Sequence, residues 1–339
     1  MHAKPQLVNL IVSAATTVRS LFPGLLASVV IAIAATFLSE HYGGPVMLFA
    51  LLLGIAFFFL SQEGPCIAGI EFASKRILRL AVGLLGAQVS SSEIIRLGVV
   101  PLIVVVGAVA LTLLFGLLGA RVARLSRNFG ILTAGAVAIC GASAALAISS
   151  VLPKGENHER DTIFTVIGVT ALSTIAMIVY PVLIARFHLD NAAIGVFLGG
   201  TIHDVAQVVG AGFSVSEETG NIATFTKLLR VAMLLPVVLT LSVVLRSSNA
   251  TKASYQLPGF LAVFFLLVVV NSAGYLPEAL QNGLKLISRW CLVAAIAALG
   301  MKTSLKALAE VGGRAIGLLV AETVFLAVLI FVAVMAWRF

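Results

Sequence analysis

The sequence predicts an all-α polytopic membrane protein with about eleven transmembrane helices, and three observations carry that expectation. Of 339 residues, 60% are hydrophobic and only 11% are charged, whereas a soluble domain carries about 25% charged residues. Mean hydropathy is +1.12. The apolar residues gather into eleven runs, at about 22–39, 45–60, 77–92, 97–120, 128–152, 162–185, 191–213, 221–245, 257–273, 284–302 and 314–337. Most are long enough to cross a hydrocarbon core of about 30 Å at about 1.5 Å per residue. The connections are short, so one transmembrane unit over 1–339 is expected, with no separate soluble domain.

The net charge of +8 would suit a nucleic-acid partner, but the Lys and Arg residues sit in short loops between apolar runs. That is the positive-inside pattern, and no nucleic acid is expected. Counted over alternate loops, fourteen lie on the side of the N-terminus and five on the other, with Lys227, Arg230 and Arg289 inside runs. Eleven crossings with a cytoplasmic N-terminus follow. Cys66, Cys140 and Cys291 are far apart with no CxxC, so neither a disulfide framework nor a metal site is expected. The first run is followed by many others and does not read as a cleaved signal peptide. There is no GxxxxGK[ST] motif for ATP, and no cofactor is expected.

Along the chain, the second and ninth runs are short, and the third begins beside Lys75, Arg76 and Arg79. The fifth, AGAVAICGASAALAISS (134–150), has no charge. Gly141, between Cys140 and the small residues Ala142 and Ser143, permits either a helix break or a close helix–helix seam. A break would expose backbone N–H groups at a new helix N-terminus, which attracts anions.

The seventh run holds the most informative stretch, GGTIHDVAQVVGAG (199–212). As one continuous helix it would place His203 near the midplane, with Gln207 on the same face and Asp204 one position round. An Asp at that depth costs about 2.5–3.5 kcal/mol on insertion scales. Such a cost persists where the residue faces a cavity, a partner or a substrate.

The eighth run, NIATFTKLLRVAMLLP (221–236), carries Lys227 and Arg230 on one face. They either line a path for an anion, neutralise Asp204, or, for Lys227, snorkel to the headgroups. In the tenth, AALGMKTSL (297–305), a break at Gly300 would hold Lys302 and Thr303 inside the membrane; a plain helix end would leave Lys302 in a loop. Glu322, in the middle of the last run, is a further buried carboxylate with either a packing or a proton-path role.

Internal symmetry is weak but present. Segments 86–98 and 300–312 share glycines twelve apart, which would pair runs one to four with runs eight to eleven. A second alignment sets CGASAAL (140–146) against LGMKTSL (299–305). Both displacements are odd numbers of spans, so either gives inverted repeats. The second places broken helices at Gly141 and Gly300 opposite each other, where such transporters bind substrate. Repeat-like halves of roughly 45–185 and 191–337 result, with 1–44 an extra N-terminal helix.

The stretches AICGASAALA (138–147), GGTIHDVAQVVGAG (199–212), KLLRVAMLLP (227–236) and AALGMKT (297–303), in this order, resemble the YeiH-like family of sulfate exporters of the bacterial inner membrane. The resemblance implies a relation to the cation/proton antiporter and anion transporter group. It also implies five-plus-five inverted repeats, two broken crossing helices, a core that moves against a scaffold in an elevator mechanism, and a homodimer. Family motifs often carry Glu at the position of Asp204.

The function expected is therefore a secondary active transporter, not an enzyme, exporting a small anion such as sulfate or a sulfonate by alternating access. Cys140, Gly141, Ser143, His203, Gln207, Lys227, Arg230, Gly300, Lys302 and Thr303 are the expected substrate-binding residues. His203 and Asp204 are the expected coupling pair, handling a proton or cation. The alternatives are an anion channel, or a membrane-embedded enzyme using Cys140 or Ser143 with His203.

Overall fold

The computed structural model describes residues 4–42, 45–88, 98–245, 259–303 and 313–337, with side chains from Val18 onward. All described secondary structure is helical. In chain order the elements are α1 (Lys4–Tyr42), α2 (Val46–Ala56), α3 (Ile67–Phe72) and, after a π-helical turn at Ala73–Ile77, α4 (Leu78–Leu85). Then come α5 (Val100–Val122), α6 (Arg127–Ala138), α7 (Ala142–Val151), α8 (His158–Ile184), α9 (Asn191–Thr201) and α10 (Val205–Val215). The last are α11 (Glu217–Ala232), α12 (Leu234–Val244), α13 (Gly259–Ser272), α14 (Glu278–Lys302) and α15 (Gly313–Trp337). Six helical stretches among the described residues are long and apolar enough to cross a membrane: α1 from Val18, α5, α8 with its 3-10 extension to Phe187, α11 with α12, α14, and α15 to Ala336. The chain is a multi-pass membrane protein.

The described residues form two compact units, which cut across the repeat halves expected from the sequence. The first comprises residues 1–87 and 276–304. Within it, Ser288 Oγ donates to the Ala81 carbonyl (2.9 Å) and Gln281 Nε2 to the Ala87 carbonyl (3.2 Å), so α14 runs antiparallel to α4. Gly300 lies on the backbone of α2 beside Leu51 and Gly54, and a Cβ there would collide with the Leu51 carbonyl. This is the small-residue seam, not a helix break: α14 is continuous through Gly300 and ends at Lys302. Segments 86–98 and 300–312, which suggested a repeat, lie largely outside the described residues.

The second unit comprises 88–275 and 305–339. Its organisation follows from helices too short to cross. α6, α7, α9 and α10 have 12, 10, 11 and 11 residues, about half of the 20 that a span requires. Each of three has a side-chain cap at its start: Ser126 accepts from the Phe129 N–H, Asp190 from that of Ala193 and Asp204 from that of Ala206.

These half-length helices pair as two helical hairpins. In hairpin A, α6 and α7 fold back on each other, so that Gly135 packs on Ile148. The outer ends of both arms, at Ser126 and Leu152, line one cavity together with His158. In hairpin B, the start of α9 and the end of α10 both lie against the start of α11. Asn191 Nδ2 donates to Glu218 (3.0 Å), the Thr219 hydroxyl faces the Asn191 carbonyl (3.3 Å), and Gly212 meets Gly220. Gly195 and Gly199 lie so close to α11 that a Cβ on either would strike Ile222 or the Ala223 carbonyl. α11 therefore flanks hairpin B, and α12 continues alongside α7 of hairpin A. The two hairpins enter from opposite ends of α11–α12 and meet at their tips.

The run 191–213 is thus not the continuous helix expected from its sequence. Its arms are interrupted at Ile202–Asp204, and His203 does not share a helix face with Gln207. The break expected at Gly141 is present, as a hairpin tip. One consequence is directly measurable. Single cysteines at Arg124 and Lys154 should be labelled by an impermeant maleimide from one face of the membrane, and cysteines at Arg186 and Glu217 from the other. Continuous crossings would place the two members of each pair on opposite faces.

Candidate functional site

The tips are Ile139–Cys140–Gly141 in hairpin A and Ile202–His203–Asp204 in hairpin B. Gly141 turns the chain with φ +63° and ψ −125°, a conformation that side chains other than glycine's make costly. The tips touch: the space where a Gly141 Cβ would stand is 3.5 Å from His203 Cβ.

Two half-helices end at this meeting point, α6 at Ala138 and α9 at Thr201, and their last carbonyls have no intrahelical partner. Lys227 and Arg230 from α11 supply the donors. Lys227 Nζ donates to the carbonyls of Ile139 (2.7 Å) and Ile202 (2.9 Å). Arg230 donates through Nε to Ala138 (2.9 Å), through Nη2 to Val137 (2.7 Å), and through Nη1 to Gly199 (3.2 Å) and Ile202 (3.1 Å). Each cation therefore bridges both hairpins. Lys227 is 0% exposed and Arg230 1%, so neither snorkels. A positive charge at two converging helix C-termini is also where the helix dipoles favour it.

The other ends at the tips are N-termini. That of α10 is occupied: Ser173 Oγ of α8 accepts the N–H groups of His203 (3.2 Å) and Asp204 (3.0 Å), and the Asp204 carboxylate caps Ala206. Gln207 Nε2 donates to Thr174 (2.9 Å). That of α7 opens outward, with Ala142 partly exposed and Ser143 exposed, while Cys140 is buried beside the Ala144 N–H. Asp204 is partly exposed on the neighbouring tip. The His203 ring is fully buried and hydrogen-bonds through Nε2 to Thr323 of α15 (3.1 Å). The Thr323 hydroxyl donates its one proton to Leu319 (2.9 Å), so His203 is the donor and Nε2 carries the hydrogen.

Seven of the ten expected binding residues thus lie at or beside the tips: Cys140, Gly141, Ser143, His203, Gln207, Lys227 and Arg230, together with Asp204. The described contacts of Gly300, Lys302 and Thr303 are instead within the first unit. Lys302 is exposed at the end of α14, in electrostatic reach of Glu71 and Lys75, and the Thr303 hydroxyl donates to Leu299 (3.0 Å). The hydroxyls of Ser173, Thr174 and Thr323, which hold hairpin B, escape a reading of the sequence. Their only signal is a polar group inside an apolar run. The described hydrogen bond of the His203 ring goes to Thr323 and not to Cys140 or Ser143.

Half-length helices pinned tip to tip by buried cations, in an all-helical multi-pass chain, define a membrane protein of transporter-like build. The chain belongs to the family described as Conserved hypothetical protein 698, which matches residues 23–319. A UPF0324 membrane protein of Chlorobaculum tepidum is 56% identical over 314 residues, covering 91% of this chain and 88% of that one. One from Rhizobium meliloti is 54% identical over 313 residues, 91% of each chain. The UPF0324 membrane protein TauZ of Paracoccus denitrificans is 50% identical over 319 residues, 92% of this chain and 94% of its own.

Removing the cationic clamp has a calculable outcome. A buried carbonyl deprived of its donor costs about 1–3 kcal/mol, so Arg230→Leu should lose more than about 3 kcal/mol, summed over the carbonyls it serves. Arg230→Lys should recover only part, since the three N–H groups of an ammonium cannot serve the four carbonyls that the guanidinium serves. Gly141→Ala should cost about 1–3 kcal/mol through backbone strain. Thermal unfolding in detergent, with size-exclusion profiles, measures all three. Wild-type melting in Arg230→Leu would show that the clamp is not structural.

Proposed function

We propose that the protein is a secondary active transporter that exports a small oxyanion, sulfate or a sulfonate, by alternating access about the hairpin tips. The observation that carries this is the pair of wholly buried cations, Lys227 and Arg230, against one facing carboxylate, Asp204. Such a site is electropositive in a low-dielectric setting and favours an anion. The backbone N–H groups of Ala142 and Ser143 at the start of α7, with the Ser143 hydroxyl, are its ligands, while the Gly141 N–H is taken by the Ala136 carbonyl (2.8 Å). Lys227 and Arg230 act on the anion through their field, since their described hydrogen bonds go to carbonyls. His203 and Asp204, on the facing tip, are the coupling pair for a proton or cation. Catalysis has no role in this reading, and the hairpins move as a core against the rest in a homodimer.

The same reading orients the chain. With the two hairpins re-entrant and the other nine runs crossing, fifteen Lys and Arg outside the spans fall on the N-terminal side and four on the other. That asymmetry exceeds the one for eleven crossings and supports a cytoplasmic N-terminus in the bacterial inner membrane. Hairpins entering from opposite sides also support an inverted repeat.

The test is an anion panel read by thermal shift on purified protein, because a ligand binding only the native state stabilises it, by about 2.7 kcal/mol at a hundred times Kd, and so raises the melting temperature. Sulfate or a sulfonate should stabilise the wild type. Ser143→Ala should reduce that shift without lowering the melting point of the unliganded protein, since Ser143 is exposed. In proteoliposomes loaded with the stabilising anion, His203→Gln should keep anion stabilisation but alter the pH profile of flux, removing the part that His203 contributes. A panel in which no anion shifts the melting point overturns the anion reading.

A further inference from the structure

The mid-membrane carboxyl of Glu322 plays no part in the site above, yet it sits where α15 joins both hairpins. Thr323 holds the His203 ring of hairpin B, and its neighbour Glu322 reaches hairpin A, with Oε1 at 2.9 Å from the Thr133 hydroxyl of α6. Glu322 is 0% exposed and lies in the seam where Gly116 of α5 meets Gly130 and Ala134 of α6. Its second oxygen, Oε2, is buried with no hydrogen-bond partner among the described residues. The helices packed on α15 are α5, α6, α8 and α9. Their titratable groups do not face Glu322. Arg121, Arg127, His158, Glu159, Arg160 and Asp161 stand at helix ends, Tyr180 packs on Phe197, and α9 has none. Arg314, on α15 itself, lies at its start, and among the described residues no charged group compensates the carboxyl. The nearest titratable ring, His203, is reached only through Thr323.

The proton inventory decides what such a group can be. The Thr133 hydroxyl has one proton and stands within reach of both the Phe129 carbonyl (3.0 Å) and Glu322. If Glu322 carries a proton, it donates to the Thr133 oxygen while Thr133 donates to Phe129, and both are satisfied. If Glu322 is ionised, it must take the Thr133 proton for one oxygen, while the other is buried with neither donor nor cation, the arrangement that interiors avoid. The ionised form keeps the Thr133 contact but leaves a buried charge at Oε2 that only an opened α6–α15 seam would expose to a donor, so protonation of Glu322 sets how tightly hairpin A is held to α15.

We propose that Glu322 is a proton-binding positioning residue: protonated, it locks hairpin A through Thr133, and on losing its proton it releases that hairpin. This rests on the transporter reading, in which hairpin movement is the transport step. Its proton exchange would add a second titrating group to His203, on the other hairpin.

The test needs neither an anion nor a flux, so its failure is separable from failure of the anion panel. Infrared difference spectra of the purified protein between low and high pH should show the carbonyl stretch of a protonated acid in an apolar setting. That band should be absent in the isosteric Glu322→Gln. In Thr133→Val it should persist but move in frequency, because its hydrogen-bond partner is gone. Hydrogen exchange in hairpin A, corrected for the intrinsic pH dependence of amide exchange, should speed up several-fold at high pH in wild type and not in Glu322→Gln. A band that survives Glu322→Gln, or is indifferent to Thr133→Val, overturns the assignment. So does a pH-dependent exchange in Glu322→Gln equal to wild type.

Discussion

Six hydrogen bonds from two cations on one helix hold the second unit together at its centre. Lys227 and Arg230 donate to carbonyls at the ends of α6 and α9. Those ends are partially negative, and brought tip to tip without a cation they would repel and bury unsatisfied acceptors. Backbone that stops being helical at membrane depth survives only when buried in protein and hydrogen-bonded there. The cations meet that requirement for both hairpins at once. Their own burial is compensated by the same bonds, which is why an Arg and a Lys persist at essentially zero exposure.

Because one helix serves both tips, the hairpins are not independent. A movement of one that stretches its bonds to Arg230 or Lys227 is felt by the other through the shared side chains. The contacts behind the tips are of another kind: hydroxyls of α8 and α15 taking backbone N–H groups and an imidazole, and close glycine packing of α9 and α10 on α11. The charged centre is thus surrounded by hydroxyl and van der Waals contacts, and the α7 N-terminus beside it opens outward.

Much of this was legible in the chain. The membrane class followed from hydropathy and charge content, and the cluster at the tips from rare polar residues in apolar runs: His203, Asp204, Lys227 and Arg230 are costly at that depth, so each needed a partner. At Gly141 a glycine with small neighbours allowed either a break or a close seam, and the structure makes it a break. The reading of 191–213 as one helix missed the cap at Asp204, with Gln207 three residues on, the spacing of a helix start. A helix that starts in the middle of an apolar run cannot be one continuous span. Of the caps at Asp190, Asp204 and Ser216, only Asp204 lies inside the run, and a cap alone does not say which way the chain leaves it.

Hydropathy and local caps are properties of short stretches, and the sequence by itself determined what depends on them: an all-helical membrane chain, its apolar runs, its polar residues of consequence. Whether a run crosses or turns back depends on which carbonyls find donors elsewhere, and those donors lie far away. Arg230 is 92 and 93 residues from the carbonyls of Ala138 and Val137, and Thr133 is 189 residues from Glu322. No local pattern encodes such a separation. Only the tertiary structure decided that Gly300 packs rather than breaks its helix, that runs 128–152 and 191–213 fold back, and that the two buried cations spend their hydrogen bonds on the backbone.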